Sequence, residues 1–162
     1  MSTQETLPTP AEILDAAGAG FTSFTHAPIR TYEDIERELR LPADQLLKTL
    51  AFRTEDGTFV LASLPILRPV GYGKVAKVAG VSRSRLRRAE EHDLAELGMA
   101  PGGISPLTRM PGAIVVFDTT VPAMSKVYCG SGKDDETIEI EVGTLIEVVK
   151  PQLADLASAS AT

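Results

Sequence analysis

The stretch Leu46-Leu47-Lys48-Thr49-Leu50-Ala51-Phe52 is apolar at five of its seven positions and contains one lysine. Side chains alternate between the two faces of a β-strand, so Lys48 shares a face with Leu50 and Phe52. Burying an ammonium without a partner is costly or shifts its pKa. Lys48 therefore reaches water at the strand end, meets an anion, or lines a binding site. Taken alone, the first of these is the simplest interpretation.

The strand that contains Lys48 is predicted to continue into a hairpin. Glu55-Asp56-Gly57-Thr58 is a turn signal between two apolar runs, which predicts paired strands at 48–54 and 58–64. Apolar patterning predicts further strands at 21–25, 113–118, 126–129 and 137–142, and an edge strand at 82–87. Helices are predicted at 10–17, 31–39, 72–78, 90–97, 143–149 and 152–156. This order predicts a mixed α/β (α+β) fold, with about six or seven strands in one curved, partly closed mixed sheet and helices flanking it.

Length and composition are those of a single globular domain. The chain has 162 residues, of which 43% are hydrophobic and 23% charged, so we expect one domain over 1–162 with flexible ends at 1–8 and 158–162. No apolar run approaches the roughly 20 residues of a membrane span, and the N-terminus does not resemble a signal peptide. The single cysteine, Cys129, excludes an internal disulfide and fits a cytoplasmic protein. Two histidines without a Cys/His cluster predict no metal site.

Positive charge is concentrated in one part of an acidic chain. The net charge is −6, yet residues 68–89 contain seven basic residues and no acidic one. Such asymmetry is typical of a surface that faces an anion, and a solvated basic surface without a partner is the alternative. The proposed edge strand would place Arg83, Arg85 and Arg87 on one face, and the helix at 72–78 carries Lys74 and Lys77.

Common catalytic motifs are absent, and two glycine-containing loops take their place as candidates. There is no G-x-S-x-G, H-E-x-x-H or Walker A motif, and Cys129 is better interpreted as a core thiol than as a nucleophile. In Gly102-Gly103-Ile104-Ser105-Pro106 the paired glycines would let backbone amides approach a ligand. Gly130-Ser131-Gly132-Lys133 is a turn rich in exposed N–H groups, which bind anions or carbonyl oxygens. For each loop taken singly, a tight turn without a ligand is the favoured interpretation.

Four segments in this order resemble the YbaK-type trans-editing domains, relatives of the editing domain inserted in bacterial prolyl-tRNA synthetases. The segments are Leu47-Lys48-Thr49-Leu50, Lys74-Val75-Ala76-Lys77, residues 102–107, and residues 128–133 followed by Ile138-Glu139-Ile140. The resemblance covers about residues 10–157. It implies a YbaK-like fold and a free-standing hydrolase of mischarged aminoacyl-tRNA, chiefly tRNA-Pro, with no metal and no cofactor.

The resemblance also implies roles for individual residues. Lys48 matches the essential lysine of the family, and Gly102 and Gly103 match the loop that contacts the substrate ester and the terminal adenosine. Cysteine-releasing members carry an aspartate where this chain has Thr137, so alanyl, seryl and cysteinyl groups are all open as substrates. The implied substrate-binding residues are His26, Ile104, Ser105, Pro106, Gly130, Ser131, Gly132 and Thr137, and the residues expected to bind tRNA are Lys74, Lys77, Arg83, Arg85 and Arg87.

An ester of this kind is already activated, so orientation of water and stabilisation of an oxyanion suffice for hydrolysis. The partners expected are the acceptor stem and terminal adenosine of aminoacyl-tRNA and, further, prolyl-tRNA synthetase. Two other functions remain open. One is a non-catalytic module that binds aminoacyl-tRNA or a synthetase, and the other is a hydrolase unrelated to tRNA that uses Ser105 or Cys129.

Overall fold

Two sheets and five helices make up residues 6–158, the part of the chain that the computed structural model describes. The first sheet has the strand order β4 (Leu86–Arg88), β2 (Leu47–Thr54), β3 (Phe59–Pro65), β5 (Ile114–Asp118), β8 (Gln152–Ala154). The second has the order β1 (Thr22–Thr25), β7 (Glu136–Glu141), β6 (Lys126–Gly130). The helices are α1 (Pro10–Ala16), α2 (Tyr32–Leu39), α3 (Tyr72–Ala79), α4 (Glu91–Glu96) and α5 (Val142–Val149).

The mixed α+β class predicted from the sequence is confirmed, although the single predicted sheet is divided in two. The sheets meet where Leu46, just before β2, forms an isolated parallel bridge with Tyr128 of β6. Leu47 packs in one core cluster with Val127 and Cys129 of β6. That residues 1–162 form one domain stays a prediction, and of the ends expected to be flexible, residues 1–5 and 159–162 lie outside the described residues.

The hairpin of β2 and β3 is the centre of the larger sheet. It is antiparallel over its length, with Lys48 opposite Leu64 and Phe52 opposite Val60. Leu50 and Phe52 pack toward α3, whereas Ala51 packs on the opposite face against α4 residues such as Leu94. The predicted alternation is therefore present, and Lys48 lies on the α3 face of the strand.

Local signals place the helix ends correctly. Thr9 with Glu12, and Thr31 with Asp34, form the capping boxes that begin α1 and α2. Gly80 adopts the left-handed conformation that ends α3. No helix within residues 6–158 is long and apolar enough to cross a lipid bilayer.

Two predicted elements are wrong. Residues 83–85 form a short 3-10 turn and only Leu86–Arg88 is a strand, so Arg83, Arg85 and Arg87 do not share a strand face. Residues 152–154 form the edge strand β8, parallel to β5, in place of a helix. Leu156 N–H then donates to the buried Asp118 carboxylate (2.8 Å), a contact between distant residues that no local pattern encodes.

Candidate active site

A pocket opens between the two sheets at the start of β2. Its volume is about 170 Å³, and α2 forms one of its walls. Seven of the fifteen lining residues are aliphatic, and Lys48 and Glu136 are the charged ones. The lining residues are Ile29, Ile35, Leu39, Leu46, Leu47, Lys48, Thr49, Ile66, Gly102, Ile104, Tyr128, Cys129, Gly130, Glu136 and Thr137.

Lys48 is half-buried in this pocket and lacks a counter-charge. Within residues 6–158, no carboxylate lies within ion-pair distance of its ammonium. Burial lowers the pKa of Lys48 from its ordinary value, and the nearby positive charge of Arg88 lowers this pKa further. Of the three alternatives raised by the sequence, a lysine that lines a binding site is the one that the structure favours.

Three of the glycines predicted at the site serve contacts within the protein, and a Cβ on the first of them, Gly102, would overlap the carbonyl oxygen of Ile29. A Cβ on Gly103 would lie 2.3 Å from the carbonyl oxygen of Lys133, and one on Gly130 would lie 2.0 Å from that of Ile104. The 102–106 loop and the 130–133 turn are also joined by the Gly132 N–H, which donates to Gly103 O (2.7 Å). The glycines therefore allow two loops to pack backbone to backbone and form a rigid pocket wall.

Backbone amides of the same wall are available to a ligand. Gly102, at φ +88°, and Ile104 both line the pocket. The Gly103 N–H is used by Ala100 O (3.0 Å), but for Gly102 and Ile104 the described residues provide no acceptor to the backbone N–H. Such free amides are the groups that stabilise a developing oxyanion.

Five of the predicted site residues lie behind the pocket surface. Ser105 is fully buried, and its hydroxyl accepts a hydrogen bond from Leu107 N–H (3.1 Å). The buried Ser131 hydroxyl donates to Glu136 O (2.7 Å). The residues that do not line the pocket, although they adjoin its wall, are Gly103, Ser105, Pro106, Ser131 and Gly132.

His26 also lies behind the lining, where it holds Thr137. Its Nδ1 lies 2.8 Å from Ala27 O, which can only accept, so Nδ1 carries the proton. Nε2 of the neutral ring then accepts a hydrogen bond from the Thr137 hydroxyl at 2.8 Å. Thr137 itself lines the pocket, so His26 reaches the pocket only through it.

Neither candidate nucleophile has a suitable environment. Cys129 is a buried core thiol, as predicted, and burial raises its pKa to about 12. Ser105 is 0% exposed, and no histidine bonds to its hydroxyl among the described residues. Hydrolysis through a serine or cysteine nucleophile is therefore disfavoured.

The aliphatic lining was missed by the sequence reasoning, apart from Ile104. Ile35 and Leu39 form an i, i+4 apolar pair on the amphipathic helix α2. No residue of α2 is fully buried, because these two side chains face the pocket cavity. The amphipathic pattern was thus the available signal, and it does not say whether the surface opposite is core or cavity.

The basic stretch is divided between paired and free cations. The Lys74 ammonium donates to Asp155 (2.6 Å) and to Ala157 O (2.7 Å). Arg85 Nε lies 3.9 Å from a Glu55 carboxylate oxygen, in a contact open to water. Lys77 is exposed, and no ion pair to it is present within residues 6–158.

Arg87 belongs to a second, polar cleft that includes Arg53 and His92. There Arg53 Nη1 (2.9 Å) and Arg87 Nη1 (2.7 Å) both donate to the fully buried carboxylate of Asp93. Glu96 adds a second acceptor for Arg53 (2.6 Å). We call Arg53, Arg87, Asp93 and Glu96 the Asp93 cluster. Arg53 lies five residues beyond Lys48 on β2, which is about 17 Å along the strand.

Comparison with known families matches residues 26–148 to the family described as "Aminoacyl-tRNA editing domain". Proline–tRNA ligase of Dechloromonas aromatica (strain RCB) is 32% identical over 124 residues, which are 73% of this chain and 21% of that protein. Proline–tRNA ligase of Xanthomonas oryzae pv. oryzae (strain MAFF 311018) is 34% identical over 103 residues, 63% of this chain and 18% of that protein. The chain thus spans about a fifth of the length of these relatives.

Solved structures share the fold. Hypothetical protein APE2540 superposes with a TM-score of 0.79 at 23% identity, over 91% of this chain and 98% of that one. A candidate trans-editing enzyme for prolyl tRNA synthetase superposes with a TM-score of 0.77, also at 23% identity, over 95% of this chain and 100% of that one. The resemblance to editing domains that was inferred from the four sequence segments is confirmed.

Proposed function

This chain belongs to the family of aminoacyl-tRNA editing domains, a family of aminoacyl-tRNA deacylases, and we propose that it hydrolyses tRNA-Pro charged with a small wrong amino acid. The observation that carries the proposal is Lys48. Its side chain lines the pocket without an ion-pair partner among residues 6–158, and Gly102 and Ile104, whose amides are free within that range, line the same pocket. An anionic nucleotide and an ester that develops negative charge would supply what this lysine lacks.

The reaction needs orientation and charge stabilisation more than a protein nucleophile. Water attacks the ester carbonyl carbon, the bond to the ribose oxygen breaks, and that oxygen takes up a proton. In our proposal the amides of Gly102 and Ile104 stabilise the carbonyl oxygen as it becomes negative. Lys48 supplies positive charge to the ester or to the terminal nucleotide. Gly103 and Gly130 contribute by keeping the pocket wall in place.

The pocket lining favours alanine among the three amino acids that the sequence leaves open. Ile29, Ile35 and Ile66 belong to an aliphatic lining, and the hydroxyl of Thr137 is engaged with His26. A methyl side chain loses nothing in such a pocket, whereas the hydroxyl of serine loses hydrogen bonds to water. We therefore propose the order alanyl, then cysteinyl, then seryl for the rate of deacylation.

The tRNA is proposed to approach over the basic stretch. Lys77 and Arg83 are the predicted contacts that have no carboxylate partner within residues 6–158. Lys74, Arg85 and Arg87 would have to exchange a carboxylate for a phosphate, so we expect less from them. Association with prolyl-tRNA synthetase and a cytoplasmic location are further parts of the proposal, because editing accompanies aminoacylation.

The test is a deacylation assay with tRNA-Pro charged with alanine, serine or cysteine. We expect turnover by the wild-type protein, and a loss of at least about a hundredfold in kcat for Lys48→Ala. Lys126→Ala is the matched control, because that lysine lies on β6 and pairs with Glu139 of β7. This variant should keep full activity. Full activity of Lys48→Ala would disprove the assignment of Lys48. Tight binding of charged tRNA without turnover would instead identify a non-catalytic binding module.

A further inference from the structure

Arg88 was not among the predicted tRNA contacts, and the structure joins it to Arg83 through one tyrosine. The Arg88 guanidinium donates to the Tyr72 hydroxyl (3.1 Å), and the Arg83 guanidinium lies over the Tyr72 ring, 4.6 Å from its centroid. The Tyr72 ring also meets Phe52 edge to face at 5.2 Å. We call Tyr72, Arg83 and Arg88 the Tyr72 cluster.

The Tyr72 cluster carries two positive charges that no carboxylate balances. Within residues 6–158, neither guanidinium is within ion-pair distance of an acidic side chain, in contrast to Arg53 and Arg87. The hydrogen bonds of both go to neutral acceptors, the Tyr72 hydroxyl and Leu86 O. Both arginines are exposed and keep further N–H donors for a ligand. Contact with an aromatic ring restricts a guanidinium without neutralising it.

The Tyr72 cluster is next to the proposed active site. Arg88 is opposite Phe52 in the β2–β4 register, and Phe52 shares its strand face with Lys48. The charge of Arg88 reaches Lys48, since it contributes to the lowered pKa of that lysine. Lys48, Arg88 and Arg83 therefore carry three positive charges on the α3 face of the larger sheet. Mutual repulsion among them makes a polyanionic ligand on this face favourable.

We propose that Arg88 and Arg83, held by Tyr72, bind phosphates of the unpaired 3′ end of the tRNA, between the pocket and the acceptor stem. Guanidinium groups suit this role because they offer two parallel donors to a phosphate. A flexible single strand gains from contacts that fix its path into a narrow pocket. The inference rests on the proposed function, since it assumes that the aminoacyl end occupies the Lys48 pocket.

The test compares one variant on two substrates. Arg88→Gln should lower kcat/KM about tenfold for alanyl-tRNA-Pro, the loss typical of one charged hydrogen-bonding group. It should leave hydrolysis of alanyl-adenosine unchanged, because that substrate has no phosphate. Arg88→Lys keeps the charge and loses the paired donors, so its kcat/KM on alanyl-tRNA-Pro should lie between those of wild type and Arg88→Gln. Arg109→Gln, a matched change of an exposed arginine that lines neither the pocket nor the polar cleft, should have little effect on either substrate.

Several results would overturn the proposal. An equal loss on both substrates would mean that Arg88 acts through Lys48 and not on a phosphate. An unchanged rate of Arg88→Gln on alanyl-tRNA-Pro, or a larger loss with Arg109→Gln, would place the 3′ end elsewhere.

Binding measurements separate this inference from the proposed function. If the wild-type protein hydrolysed neither substrate, the proposed function would fail, and affinity for uncharged tRNA with and without its CCA end would still decide the inference. Wild-type protein should bind the intact tRNA more tightly than the tRNA without its CCA end. Its log affinity should also fall more steeply with log salt concentration than that of Arg88→Gln, by the contribution of about one phosphate contact. Arg88→Gln should show a smaller preference for the intact tRNA, and an undiminished preference for the CCA end would contradict the role of Arg88.

Discussion

Arg87 and Arg88 are neighbours in the chain, yet they belong to two clusters with different partners. Adjacent residues of a strand point to opposite faces, so β4 directs Arg87 to the Asp93 cluster and Arg88 to the Tyr72 cluster. In the first, arginines and carboxylates balance one another around a buried acid. In the second, an aromatic ring holds arginines whose charge is unbalanced within the described residues. Partner chemistry, and not residue type, decides which arginines stabilise the fold and which can bind an anion.

The largest effect that we expect is on the Asp93 cluster. Asp93→Asn removes the buried negative charge that Arg53 and Arg87 share. Breaking a buried pair from one side leaves uncompensated charge, so the free energy of unfolding should fall by about 3 kcal/mol. Urea denaturation measures this loss. A stability within about 0.5 kcal/mol of wild type would contradict the view that this cluster supports the fold.

The second prediction concerns how the free energy of unfolding depends on pH. Hydrogen bonds from the Arg87 side chain hold the pKa of Asp93 well below its usual value of 3.8, against the opposing effect of burial. Because the folded-state pKa is lowered, this stabilisation is complete above about pH 4 and is lost as the pH falls toward the folded-state pKa. The difference in unfolding free energy between wild type and Asp93→Asn should therefore shrink between pH 5 and pH 2. A constant difference over this range would disprove the linkage.

The third prediction compares the same substitution at Arg87 and at Arg88. Arg87→Gln takes two N–H donors from the Asp93 carboxylate (2.7 and 3.2 Å). It should cost about 1 kcal/mol of stability, a modest figure because half of the Arg87 side chain is in water. Compared with Arg87→Gln, Arg88→Gln should lower the free energy of unfolding less and should lower kcat/KM on charged tRNA more. Thermal unfolding and deacylation of the same two proteins test this, and the reverse order would refute the division into two clusters.

The smallest effect is expected from Tyr72→Phe. The ring that contacts Arg83 and Phe52 stays, and only the hydroxyl that accepts from Arg88 is lost. This hydrogen bond from a guanidinium is exposed to water and is therefore worth only about 0.5 kcal/mol, so kcat/KM on alanyl-tRNA-Pro should fall about twofold. Tyr72→Leu removes the ring as well and should cause a larger loss. Equal rates for these two variants would show that the ring does not position the arginines.

Prediction from the sequence succeeded where the determining contacts are local. The capping boxes at Thr9 and Thr31 and the turn that contains Gly57 each depend on residues within four positions, and all three are present. Prediction failed at residues 152–154, because their partner strand is β5, more than thirty residues away. For the site, Lys48, Gly102, Ile104, Gly130 and Thr137 were placed from family resemblance and do line one pocket.

The basic stretch shows the same limit more sharply. Seven cations within 22 residues predict an anion-binding surface, but each cation is paired or left free by residues far along the chain. Lys74 pairs with Asp155, which is 81 residues away in sequence, and Arg53 pairs with Asp93, which is 40 residues away. Counting charges in sequence therefore does not distinguish Arg85 and Arg87, which have carboxylate partners, from Arg88, which has none within residues 6–158.

The sequence by itself determined the helix starts, the central hairpin, the family, and the presence of one lysine on an apolar strand face. The tertiary structure alone decided that Lys48 opens into a pocket, that two glycines exist for loop-to-loop contact, and that Arg87 and Arg88 differ. The physical reason is the distance along the chain over which each kind of interaction acts. Backbone propensity and capping act within one or two turns of chain, whereas burial, ion pairing and close backbone approach depend on which distant segments the fold brings together.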